Sequence, residues 1–87
     1  MNPQKASNLE QEEVEDSLIV LDGQNGQVHK LNLTAAMIFE LCDGSNSAHA
    51  ICVEIASTFG VEPSNVEQDV EATLADFVSK GIVKVNS

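Results

Sequence analysis

Apolar and polar positions change their rhythm near residue 32 of this chain. Before it, apolar residues alternate or cluster in short runs; after it they recur at intervals of three and four. Leu9–Val14 alternates weakly, Leu9, Gln11 and Glu13 against Glu10, Glu12 and Val14, and reads as a poor edge strand. Glu15-Asp16 makes a turn, and residues 18–21, Leu-Ile-Val-Leu, form an apolar run of the kind expected for a strand buried on both faces. Residues 22–26 reverse the chain. Asn25-Gly26 supplies two residues that tolerate the positive φ of a two-residue hairpin turn, and Gln27–Leu31 returns as the second arm.

Asn32 then stands where a helix cap belongs, its side-chain oxygen free to accept from the first turn. Ala35, Ile38, Phe39 and Cys42 follow at helical spacing, and Gly44 is placed to end the helix. Ser47 caps a second helix whose apolar stripe is Ile51, Ile55 and Phe59, widened by Ala48, Cys52 and Ala56, with Gly60 as its stop. A third helix spans 62–80. Its start is set either by Pro63 in the first turn or by a Ser64/Glu67 capping box. Val66, Val70, Leu74, Phe77 and Val78 are its apolar positions, and Gly81 closes it. Residues 82–85 make a short extended tail, and the polar stretch 1–8 is expected to be a disordered N-terminal tail ahead of one domain, 9–87. The order, strands and then three short helices, predicts an α+β fold: a winged helix-turn-helix-like packing of an N-terminal three-stranded antiparallel sheet with three helices.

Length allows one small domain, which buries only about 60–65% of its unfolded surface. Charge narrows its partners. Fourteen acidic residues against four lysines give a net charge of −10 over 87 residues, a field that repels nucleic acid and anionic lipid. No apolar run approaches a membrane span and residues 1–7 lack a signal core, so the cytoplasm is the expected compartment.

Candidate chemistry is sparse. Cys42 and Cys52 sit at apolar helix positions, without CxxC spacing, and read as reduced core thiols. His29 and His49 have no companions at metal-ligand spacing, and nothing pairs a thiol with a base. The run Glu10, Glu12, Glu13, Glu15 reads as a solvated face. Asp16-Ser17-Leu18 matches the tripeptide on which acyl carrier proteins bear their prosthetic arm, but here it opens a strand rather than a long helix. The expectation is a non-enzyme without cofactor or metal.

Geometry offers more. An outer strand presents unpaired N–H and C=O groups to any extended chain. If Gln27–Leu31 is such an edge, the third helix can wall the adjoining groove, and a peptide could add as a strand. Coverage of that edge by Leu9–Val14 or by residues 82–85 would remove the site.

Residues 31–44, with Leu31-Asn32, Thr34-Ala35 and Leu41-Cys42-Asp43-Gly44, resemble the signature of the PqqD family, named for pyrroloquinoline quinone biosynthesis protein D. Ser47, Ile51, Ile55 and Phe59 fit its second helix, and Glu67-Gln68-Asp69-Val70 with Leu74, Phe77 and Gly81 its third; the likeness covers roughly 9–83. Phe39 stands where a tryptophan is common. The resemblance implies a module that binds the leader of a ribosomally made precursor peptide and presents it to a modifying enzyme, often a radical S-adenosylmethionine protein. It places the leader beside Gln27, Val28, His29, Lys30 and Leu31, in the groove walled by residues 62–80. Val66, Asp69, Val70 and Thr73 are the helix side of that expected site, with Asp69 a partner for a basic leader residue. The alternatives are a winged-helix DNA-binding regulator, which four basic residues scarcely equip, and a homodimer paired through the same edge.

Overall fold

The computed structural model describes residues 2–86. In chain order the elements are β1 (Asn2–Lys5), β2 (Leu9–Val14), β3 (Ser17–Asp22), β4 (Gln27–Leu31), α1 (Leu33–Glu40), α2 (Ala48–Phe59), α3 (Pro63–Ser79) and β5 (Val83–Asn86). β2, β3 and β4 form an antiparallel sheet in that order, and β1 pairs antiparallel with β5 as a separate ribbon. The α+β arrangement, a three-stranded antiparallel sheet followed by three helices, is the one the sequence pattern predicts.

Register fixes which side chains share a face. Gln11, Val20 and His29 lie across from one another, as do Glu13, Leu18 and Leu31. Leu18, Val20 and Leu31 are buried beneath the helices, whereas Ile19 and Leu21 on the opposite face stay half-exposed. β3 is therefore central but covered on one face only. The unbroken Leu-Ile-Val-Leu run implied two covered faces, because four successive apolar residues carry no record of which side packs.

The core beneath the sheet is built from Ile38, Phe39, Cys42, Ile51, Ile55, Val70, Phe77, Ile82 and Val83, among others. Phe39 and Phe77 meet edge to face, ring centroids 5.7 Å apart at 83°. Such a pair adds about 0.5–1.5 kcal/mol beyond its area burial, and it fixes α3 against α1.

Helix ends follow local chemistry where side chains can supply it. Asn32 Oδ1 accepts from Ala35 N at 2.9 Å, and Ser47 Oγ from Ala50 N at 3.1 Å. Gly60, with φ of 67°, terminates α2 in the left-handed conformation. α3 starts at Pro63 behind Glu62, which makes no side-chain capping bond, so the proline rather than a Ser64 capping box sets the boundary.

Three further expectations are corrected. The segment expected to be a disordered tail holds β1, with Pro3 buried and opposite Val85. Local sequence gives no hint of this, because its hydrogen bonds go to distant chain. α1 stops at Glu40 with Leu41 as its cap, short of Cys42 and Gly44. There β1 competes successfully for the backbone: Lys5 N donates to Cys42 O and Gly44 N to Pro3 O. The β3–β4 reversal uses residues 23–26 rather than a two-residue turn. Gly26 alone has positive φ, and Asp22 accepts from both Asn25 N and Asn25 Nδ2. Residues 83–86, one of the two segments whose pairing would have covered β4, pair with β1 instead.

Lys5 joins the ribbon to the rest. Its Nζ donates to Glu40 Oε2 and Gln11 Oε1, each at 3.2 Å, and sits 5.0 Å from the centre of the Phe39 ring. Cys42 and Cys52 are free and buried. Among the described residues no group of three or more His, Cys, Asp or Glu could hold a metal ion, and no helix is long and apolar enough to cross a membrane.

Candidate functional site

The sheet has two outer strands that differ in character. β2 carries Glu10, Glu12 and Glu13, all exposed, a row of carboxylates of the sort that discourages edge-to-edge pairing. β4 carries no acid. Along one side it pairs with β3; along the other, no strand among the described residues pairs with it. In an antiparallel ladder alternate residues turn N–H and C=O outward, so β4 presents a template for an added strand.

Beside the C-terminal half of β4 lies a groove of about 290 Å³. Leu31 and Phe77, both buried, form its floor with Ala35 of α1. Ala72, Thr73 and Asp76 make the α3 wall, Asn32 sits at the α1 end, and Lys30 and Lys80 stand at the rim. Lys80 Nζ lies 2.8 Å from Asp76 Oδ2. The wall stays open because its α3 positions are small or short: Ala72 and Thr73 leave room that larger side chains would fill. Phe77 is held from behind by Phe39, so the floor is rigid.

A larger hollow of about 380 Å³ lies on the other face of α3, lined by Leu74, Ala75 and Val78 with Pro3 and Val85 of the ribbon. It is more apolar, but the strands beside it, β1 and β5, belong to the two-stranded ribbon and not to the three-stranded sheet.

Of the residues expected at the site, Lys30, Leu31 and Thr73 line the groove. Gln27, Val28 and His29 belong to the open edge but lie outside the lining. Val28, 66% exposed, projects from the uncovered face of the sheet. Asp69 is exposed one turn before Thr73, on the stripe that continues through Asp76 and Lys80, and does not line the groove. Val66 is half-buried against the core and Val70, 1% exposed, lies within it. Asn32, Ala35, Ala72, Asp76 and Lys80 line the groove without having been expected there. Their signal was the i, i+3, i+4 spacing of Thr73, Asp76, Phe77 and Lys80, a mixed stripe that a search for apolar periodicity passes over.

His29 Nε2 is buried with no hydrogen-bond partner, alone in this among the side-chain nitrogens and oxygens of the described residues. Asp22, at the other end of the hairpin, has its carboxyl held below the usual range, chiefly by the Asn25 side-chain amide and then by Asn25 and Gln24 backbone N–H groups and the nearby His29. Burial pushes the Cys42 thiol up to about 11 and raises that of Cys52 as well. Neither is a nucleophile at neutral pH.

An open-edged sheet backed by a helical wall defines a small α+β domain with a groove beside its unpaired strand. The chain belongs to the PqqD family: the model of Coenzyme PQQ synthesis protein D matches residues 17–83, well over half of it. Among solved structures it is similar to TbiB1 in complex with the TbiA(beta) leader peptide, at 18% identity and TM-score 0.83, covering 97% of this chain and 98% of that one. Lasso peptide synthetase B1 complexed with its leader peptide gives 21% identity and TM-score 0.83, covering 98% and 100%. The PqqD truncation of Methylobacterium extorquens PqqCD, described as a stand-alone recognition element for ribosomally synthesized and post-translationally modified peptides, gives 20% and 0.78, covering 95% and 88%. At these identities the likeness establishes a shared fold. No curated protein matches the chain.

Proposed function

We propose that this protein binds the leader segment of a ribosomally made precursor peptide as an added strand on β4 and presents it to a peptide-modifying enzyme, without itself catalysing a reaction. The observation that carries this reading is the open β4 edge with the α3 groove beside it. Family membership supports it, as does the similarity of fold to two proteins solved with leader peptides bound. Backbone bonds along β4 supply affinity, and the groove selects side chains. The modifying enzyme is of the kind the family serves, radical S-adenosylmethionine proteins included, and the setting is cytoplasmic. A DNA-binding role has little support: two of the four lysines are already ion-paired, Lys5 with Glu40 and Lys80 with Asp76.

Two adjacent proline variants test the strand-addition mode. Only one of Val28 and His29 directs its N–H outward, since neighbours in a ladder alternate. Val28→Pro and His29→Pro should therefore separate. One keeps the fold and loses about 1–2 kcal/mol of leader affinity; the other weakens the β3–β4 ladder itself. Titration of leader peptides from a neighbouring precursor gene, followed by amide shifts at residues 28–31, reads both effects. Full affinity in a folded variant of each kind would refute the mode.

A further inference from the structure

We infer, resting on the reading above, that the segment this groove accepts carries acidic side chains next to its apolar anchor, met by Lys30 on one face of the added strand and by Lys80 on the other. The chain has four lysines among its 87 residues and a net charge of −10. Two of those four line this one groove, against a single aspartate, Asp76. The ionisable lining of the groove is thus net positive in a chain that is net negative. Lys30 makes no ion pair among the described residues. Lys80 does, but its pair with Asp76 is exposed on both sides, the class whose net worth is smallest and whose lysine is most readily shared with a second carboxylate.

The floor of the groove is Leu31, Phe77 and Ala35, which suits one apolar side chain of moderate size. Lys30 lies on the face of β4 opposite Leu31, so residues two positions from the anchor reach the Lys80 side, while the anchor's immediate neighbours reach the Lys30 side. An Asp or Glu there meets the lysines, whereas a Lys or Arg there meets like charge. The whole-molecule field predicts the opposite preference. A surface at −10 draws cationic peptides wherever it is not locally reversed, so long-range attraction and groove selectivity give contrary orders and can be told apart.

The probe is a displayed library of random twelve-residue peptides, selected on the whole chain and, separately, on the Lys30→Glu/Lys80→Glu variant. Enriched peptides are then checked for amide shifts at residues 28–31. The wild-type chain should enrich acidic over basic residues about three- to tenfold at a fixed spacing from an apolar anchor, an effect that fades at high salt and inverts on the reversed variant. Both substitutions are at exposed positions, and Lys30→Gln/Lys80→Gln, which removes charge without repulsion from Asp76, should abolish the bias if the reversed form folds poorly. Peptides that shift the β4 amides without charge bias, or with a basic bias, overturn the inference and leave the proposed function standing. Enriched peptides that leave those amides unmoved overturn both.

Discussion

Cys42 shows how a single buried group ties stability to pH. Its thiol is protonated in the folded chain up to about 11, whereas an exposed thiol ionises near 8.5. A raised folded value means that the stabilisation is complete below the unfolded value and is lost as pH climbs through the folded one. Stability should fall by about 3 kcal/mol across that window, and denaturant melts of Cys42→Ala over the same range should lack that slope. Native Cys42 should likewise resist alkylation at neutral pH. His29 offers a second case: an unpartnered buried nitrogen is a liability, so His29→Leu should leave the denaturation midpoint unchanged or raise stability by up to about 1 kcal/mol. A larger loss would mean that the imidazole has a partner.

At the scale of elements, the hairpin joining β3 to β4 sets the position of the open edge. Asn25 holds Asp22 by two hydrogen bonds, and those bonds keep the Asp22 carboxyl below its usual range. A depressed folded value contributes stability above the ordinary carboxylate range and loses it as pH falls through the folded value. Asn25→Ala should thus be less stable than wild type at pH 7, with the gap closing as pH falls through and below the ordinary carboxylate range, measured by thermal melts across pH. Elements also show what the sequence conceals. Asn32, Ser47, Gly60 and Pro63 announce helix boundaries because each acts on its own neighbours. β1 announces nothing, because Asn-Pro-Gln-Lys becomes a strand only when Val83–Asn86 and the backbone after α1 supply its bonds. The groove is hidden for a related reason. Apolar periodicity on α3 finds Val66 and Val70, which pack inward, while the groove wall is made of Ala72, Thr73 and Asp76, residues chosen for the space they leave.

For the whole molecule the decisive quantity is the charge. At −10, fourteen acids repel one another, most densely where Glu10, Glu12, Glu13 and Glu15 lie on or beside β2. Salt screens this: going from about 0.01 M to about 1 M shortens the Debye length from about 30 Å to about 3 Å. The melting temperature should rise accordingly, by about 4–8 °C for each kcal/mol of repulsion relieved. A melting point indifferent to salt would show that the acids are compensated in the fold.

The β1–β5 ribbon sets Asn2 directly across from Asn86. Residues 2 and 86 therefore lie side by side, on a ribbon separate from the sheet that holds β4. A covalent bridge between those two positions, or a graft of residues 2–86 into a host loop, needs only a short linker.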